Sequence, residues 1–477
     1  MSAMMNLQQV AQWLLPAQMQ LADTDASQVR VMRVHTDTRT IEPGDLFVAL
    51  HGERFDANDF LQEAKQKGAV AAICQGDSAA AKLTEAGLPG WVVPDTKLAL
   101  AQLATLWRAQ FKLPLIAVTG SNGKTTVTQM IASILRAWQG DASLATQGNL
   151  NNDIGVPLTL LRLRPHHQVA VVELGMNHPG EIATLAAIAQ PTVALVNNAQ
   201  REHLEFMATV EAVAQENGSV IDALPANGTA VFPQDDAFSP LWTSMAGARQ
   251  QLTFATDATH APSLHVTQAI WMDAAWQVSA ATPAGALCYP LHIAGAHNVK
   301  NSLAAAACAL AAGVPFSAIA QGLADFEPVK GRSRALRLDH QGRVITLVDD
   351  TYNANPDSVR AAIEVLAALP GPRLLVLGDM GEVGNQGPQF HREALQLAQD
   401  NHIENVLVTG VASSQAAMTF ESIEVRTDMV ELQAAALAIL PQVASVLVKG
   451  SRFMKMERVV DALCAATSTT KKERLTC

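Results

Sequence analysis

The feature that most constrains this chain is a strand, a glycine turn and an amphipathic helix in unbroken order between residues 115 and 138. Residues 115–118 (LIAV) form a short apolar run that leads into residues 119–126 (TGSNGKTT). Val127, Met130, Ile131, Ile134, Leu135 and Trp138 then fall on one face of a helix. A strand that feeds a helix in this way belongs to a sheet covered by helices. It is also the context that a phosphate-binding loop requires. Gly120 and Gly123 can take positive φ and bring backbone N–H groups close to an anion. The helix start at Thr125 adds a partial positive charge. Ser121, Asn122 and Thr126 complete the loop. Lys124 is placed to reach β and γ phosphates, and Thr125 to offer its hydroxyl to Mg²⁺. Val118, not glycine, stands five residues before Gly123, so the loop has the short form G-x-x-G-K-T-T. The competing explanation is a chance glycine turn. The register of strand, Lys-Thr pair and helix argues against it.

The 477 residues suit about three domains, and the pattern divides at residues 1–112, 113–327 and 328–477. The first segment mixes apolar strands at 45–50, 70–74 and 91–93 with helices at 58–67 and 96–111. The second adds strands at 168–174, 191–197 and 229–232, then a β-rich stretch from 252 to 293. Residues 326–332 (FEPVKGR) read as a linker. Beyond it, apolar strands at 344–348, 374–377, 406–408 and 446–448 alternate with helical stretches such as 357–369, which Pro356 opens. The fold class expected is therefore α/β in three domains. A mixed α/β N-terminal domain is followed by a central P-loop-type mononucleotide-binding domain and a C-terminal Rossmann-like, doubly wound domain.

Other features exclude alternatives. A net charge of −11 disfavours a protein that grips nucleic-acid backbones. Five cysteines, none in C-x-x-C spacing, lack a zinc or redox motif and suit a reducing compartment. No basic residue precedes Arg30, so no signal peptide is expected. The longest apolar run, 303–313, is shorter than the ~20 residues a membrane span needs. A cytoplasmic monomer is expected, with small-molecule partners and no nucleic acid or membrane insertion.

Polar clusters sit at other strand ends, where α/β sheets bind ligands. Glu173 closes one strand and would emerge beside the loop. His203 follows another by a short loop. A carboxylate and an imidazole suit a divalent cation, although by spacing alone each residue is more often a structural or surface group. Asn149, Asn151, Asn152 and Asp153 could bond a polar ligand or simply build an Asx turn. Residues 349–357 (DDTYNANPD), with Asp350 and Asn353, either meet a ligand or cap a helix. Lys449, Ser451 and Arg452 form a third strand-end loop, which is equally compatible with a solvated turn.

Together these motifs resemble the Mur ligases of bacterial cell-wall synthesis, over nearly the whole chain. TDTR at 36–39 with PGDLFVALHGERFDANDF is similar to the family's uridine-nucleotide domain, and TGSNGKTT to its ATP loop. GNLNNDIGVPLTLL and ELGMNHPGEI are similar to central-domain signatures. GAHNVKNSLAA, Arg332 in KGR, DDTYNANPDSV, GDMGEVG and VKGSR resemble the part that meets the adenine, the linker and the C-terminal domain. The resemblance implies an ATP-dependent ligase with Mg²⁺ that joins D-Ala-D-Ala to UDP-MurNAc-tripeptide through an acyl phosphate. Lys124, Glu173 and His203 would be catalytic, and Thr125, Glu173 and His203 would ligate metal. Asn298, Asn301, Arg332 and Asp350 would meet the nucleotide. Asp37, Thr38, Arg39, Asn149, Asn151, Asn152, Asn353, Lys449, Ser451 and Arg452 would meet the other substrates. One departure stands out: where many members carry a carbamylated lysine that supports a second metal, this chain has Asn217. The alternative is another amide ligase of the superfamily, such as a tripeptide-forming Mur ligase or a folylpolyglutamate synthase. The N-terminal TDTR segment argues against the latter. A non-catalytic nucleotide switch would need the loop but not the other strand-end clusters.

Overall fold

A computed structural model describes residues 3–469 apart from 18, 21–24, 53–54, 203, 273–274 and 382. Three sheets organise three α/β domains. In the first, strands Arg33–His35, Asp45–Val48, Ala71–Gln75 and Gly90–Val93 lie side by side in parallel, and Met19–Gln20 pairs antiparallel at the edge.

The central sheet has nine strands. Its parallel part runs Ser143–Ala145, Val169–Glu173, Leu115–Thr119, Val193–Val196, Thr229–Pro233, Gln250–Ala255 and Leu264–Met272. Ala275–Thr282 and Gly285–Leu291 then close it as an antiparallel meander. The strand order turns around Leu115–Thr119, so the loop that follows this strand opens into the crevice between its two neighbours. Open α/β sheets bind ligands at such a point. Leu115 and Ala117 face one buried cluster, and Ile116 and Val118 the other. Burial on both faces explains the continuous apolar run.

The phosphate-loop helix, Lys124–Gln139, buries Val127, Met130, Ile131, Ile134 and Leu135. Helix Phe316–Ala324 crosses it closely at Gly322, where an added Cβ would stand 2.3 Å from Ile134 Cα. Only glycine permits that approach.

The C-terminal sheet is parallel through Ile423–Val425, Asn405–Val408, Arg373–Leu377, Ser445–Lys449 and Arg343–Asp350. Leu374 and Val376 face one buried cluster, and Leu375 and Leu377 the other, so helices cover both faces. The sequence reading missed the antiparallel strand Arg334–His340. Arg334 and Arg337 break up its apolar signal, leaving only Leu336 and Leu338 in alternation. Among the described residues no helix is long and apolar enough to cross a membrane.

Candidate active site

The ends of the central parallel strands and the facing loops of the C-terminal sheet enclose a cavity of about 1090 Å³. The phosphate loop forms one wall. Gly123 caps the helix at φ 81°, and an added Cβ there would meet Asn197 Nδ2 at 2.7 Å and Asn301 Oδ1 at 2.8 Å. Gly120, at φ 129°, has Asn197 and Asn198 equally close behind it. Both positions therefore demand glycine for conformation and for space.

The loop is held from several sides. Ser121 N–H donates to Asn198 O at 3.1 Å, and Asn122 N–H to Asn198 Oδ1 at 2.8 Å. Asn197 Nδ2 donates to Asn122 O and Asn301 Oδ1, and Asn301 Nδ2 donates to Asn298 Oδ1. This chain of amides ties the helix Ala296–Ala311 to the loop. Asn217 is fully buried, and its Oδ1 accepts from Thr119 Oγ1 at 2.6 Å and from Gly120 N–H at 3.1 Å. The Asn217 side chain thus supports the loop. An amide cannot form a carbamate and its oxygen already has two donors, so Asn217 itself offers no carbamate support for a metal.

Lys124 Nζ donates to Glu202 Oε1 at 2.7 Å, to Gly120 O at 2.6 Å and to Ser121 O at 3.0 Å. Its charge is largely buried and answered by Glu202. Glu173 is buried at the end of its strand. Its Oε1 accepts from Thr125 Oγ1 at 3.0 Å and from Asn151 Nδ2 at 2.8 Å. Its Oε2 is buried with no hydrogen-bond partner. A carboxylate oxygen left in this state beside a threonine hydroxyl suits a hard cation that takes few protein oxygens and fills its shell with water and phosphate. Among the described residues, no three His, Cys, Asp or Glu side chains cluster to hold a metal by themselves.

The opposite wall comes from the C-terminal domain. Asp350 and Lys449 are register partners on adjacent strands, with Nζ 2.5 Å from Oδ2. Burial works to raise the Asp350 pKa, but Lys449 and the Ser333 N–H outweigh it and hold the carboxyl below its ordinary range. The Arg332 guanidinium lies 4.0 Å from the Tyr352 ring centre, which shapes a flat cationic surface at the rim. Asn355 caps the helix Pro356–Ala367 through a capping box with Ser358, so the helix-capping reading of this segment is also realised.

The family models match in chain order. The Mur ligase family catalytic domain covers residues 30–108, the Mur ligase middle domain 118–309, and the glutamate ligase domain of Mur ligases 333–452. The UDP-N-acetylmuramoyl-tripeptide–D-alanyl-D-alanine ligase of Escherichia coli is 41% identical over 437 residues, 90% of this chain and 93% of that one. The chain belongs to the Mur ligase family. Among solved Mur ligases, MurF from Acinetobacter baumannii superimposes with a TM-score of 0.84 at 34% identity, covering 96% of this chain and 98% of that one. MurF from Thermotoga maritima, solved in complex with ADP, gives 0.79 at 27%, covering 91% and 97%.

Within this Mur ligase, the cavity gathers Ser121–Thr126, Asn149, Asn151, Asn152, Glu173, Asn298, Asn301, Arg332, Asp350, Asn353 and Lys449. Gly120 and Ser451 lie behind its surface, and Ser451 is buried against Asp379 and Ala354. Arg452 is exposed and pairs with Glu457. Asp37, Thr38 and Arg39 stand apart on the N-terminal domain. Arg39 hydrogen bonds bring the Asp37 pKa down to about 2 and present the pair as a preformed polar turn. His203 lies outside the described residues. Sequence reasoning missed Glu202, Asn197, Asn198, Gln200 and Asp357. Glu202 is next to His203 in REHLE, but its partner Lys124 is 78 positions away. No local pattern encodes that separation.

Proposed function

We propose that this chain is an ATP-dependent ligase that joins D-alanyl-D-alanine to UDP-N-acetylmuramoyl-tripeptide, forming the pentapeptide precursor, ADP and phosphate. The observation that carries the reading is the single cavity that sets the phosphate loop, the partnerless Glu173 oxygen and the Asp350–Lys449 pair against one another. The similarity to UDP-N-acetylmuramoyl-tripeptide–D-alanyl-D-alanine ligases over nine-tenths of the chain supports the substrates.

In this reading residues 1–112 take the uridine nucleotide, with Asp37, Thr38 and Arg39 at its edge. Residues 113–327 hold ATP. Residues 328–477 close over the nucleotide and bring the dipeptide. A peptide carboxylate must approach an already anionic γ-phosphate, so positive charge is needed between them. Lys124 supplies one cation once Glu202 yields it to phosphate. Thr125, Glu173 and His203 would hold Mg²⁺, which neutralises phosphate charge when bound. Asn298, Asn301, Arg332 and Asp350 would position the nucleotide. Asn149, Asn151, Asn152, Asn353, Lys449, Ser451 and Arg452 would position the peptide substrates.

The acyl phosphate that forms is then attacked by the dipeptide amine. With an amino pKa near 8, roughly a tenth of that amine is neutral at pH 7, at a cost of about 1.4 kcal/mol. Orientation and water exclusion therefore matter more than a strong base. The reading also makes the chain a cytoplasmic monomer. Purified protein given ATP, Mg²⁺ and both substrates should yield a product heavier than the tripeptide nucleotide by D-Ala-D-Ala less water. Mass spectra that show only starting material would sink the proposal.

A further inference from the structure

Residues 200–202 face alternate sides of the seam between the central and C-terminal domains. Gln200 accepts from Asn122 Nδ2 at 2.6 Å, and Glu202 accepts from Lys124 at 2.7 Å; both line the catalytic cavity. Arg201 points the other way, into a separate cleft against the C-terminal domain. Its Nη2 donates to Asp357 Oδ1 at 2.8 Å and its Nε reaches the same carboxylate at 3.2 and 3.3 Å. Its backbone N–H donates to Asp357 Oδ2 at 2.9 Å. Nη1 reaches Glu393 at 3.4 Å, and the guanidinium lies 5.2 Å from the Phe390 ring centre. Asp357 sits in the first turn of the helix Pro356–Ala367, whose cap, Asn355, donates to Asn122 Oδ1 at 2.9 Å.

We propose that Arg201 is a positioning residue that holds the C-terminal domain closed on the phosphate loop through its fork on Asp357. The inference rests on the ligase reading for its kinetic part only. Arg201 lines no part of the catalytic cavity, so it acts through what it fixes. It anchors the short segment that carries Gln200 and Glu202, and it anchors the helix start that carries Asn355. Both ends of this brace reach the loop, at Asn122 and Lys124. A bidentate charge-assisted pair biases an equilibrium by roughly 10- to 100-fold. Without it the closed arrangement must be assembled at the expense of substrate binding, and apparent affinity falls by the fraction of chain that is closed.

The test compares wild type with Arg201→Ala, Arg201→Lys and Asp357→Asn, alone and combined. For Arg201→Ala, KM for ATP and D-Ala-D-Ala should rise about tenfold or more, while kcat at saturation stays within roughly threefold. Lysine keeps the charge but loses the fork, and should recover only part of the loss. Arg201→Ala should add little to Asp357→Asn, because the two share one interaction. By small-angle X-ray scattering, ligand-free Arg201→Ala should show a larger radius of gyration than wild type, restored by saturating nucleotide and uridine substrate. A lowered melting temperature with unchanged KM and unchanged radius would mean ordinary surface stabilisation and overturn the proposal. So would full recovery by lysine. If wild type itself shows no ligation, the functional reading fails, and the scattering comparison alone decides the brace.

Discussion

Lys449→Met makes a demanding test of the Asp350–Lys449 pair. The Lys449 side chain is 3% exposed and Asp350 15%, with 2.5 Å between Nζ and Oδ2. Methionine keeps most of the lysine's stem volume and removes its charge. Removing one partner of a buried pair costs about 3–5 kcal/mol. Asp350 would keep the Ser333 N–H at 2.9 Å and hydroxyl at 3.3 Å. The expected loss is therefore near the low end, about 3 kcal/mol at pH 7.

The sign of the pH dependence follows from the carboxylate. In wild type the Asp350 pKa is depressed below 3.8. Its contribution is therefore present above the unfolded pKa and fades as pH falls through the folded one. In the variant, burial without a cation raises the pKa. Protonation then relieves the penalty, and the gap to wild type should shrink as pH drops towards about 4.5. Hydrogen exchange on peptides covering Arg343–Asp350 and Ser445–Lys449 reports local opening directly. The variant should exchange roughly 150-fold faster at pH 7, and by a clearly smaller ratio at pH 4.5. An unchanged rate at pH 7, or a ratio independent of pH, would refute the reasoning.

Further outcomes are expected. Lys124→Ala should abolish ligation with an unchanged circular dichroism spectrum; normal turnover would remove the loop from the mechanism. Gly322→Ala puts a methyl 2.3 Å from Ile134 Cα and should lower stability by about 1–3 kcal/mol by pushing two helices apart; a neutral melting temperature would contradict the packing described. Activity should survive bicarbonate depletion, because Asn217 offers no carbamate; loss restored by bicarbonate would show that another residue takes that role.

The features legible in the sequence are those encoded locally. The strand, loop and helix from Leu115 to Gln139 declare themselves in a run of 25 residues, because burial on both faces writes a continuous apolar strand and a one-sided helix stripe. Glu173 was found because it ends such a strand. The three-domain α/β class followed from the same kind of alternation, and the solved relatives bear it out. The partners that complete the site were not legible. Arg201 meets Asp357 across 156 positions and Lys124 meets Glu202 across 78. Parallel topology brings strand ends together without leaving any periodic trace. Asn217 is a third case: its residue type excluded a carbamate, but only the fold showed that it braces Thr119 and Gly120.

The central claim is that one cavity couples ATP to amide formation, and phosphate release tests it most directly. With ATP and Mg²⁺ present, release should require UDP-MurNAc-tripeptide and D-Ala-D-Ala together and match pentapeptide formed one for one. Phosphate released at the same rate with either substrate omitted would contradict the account.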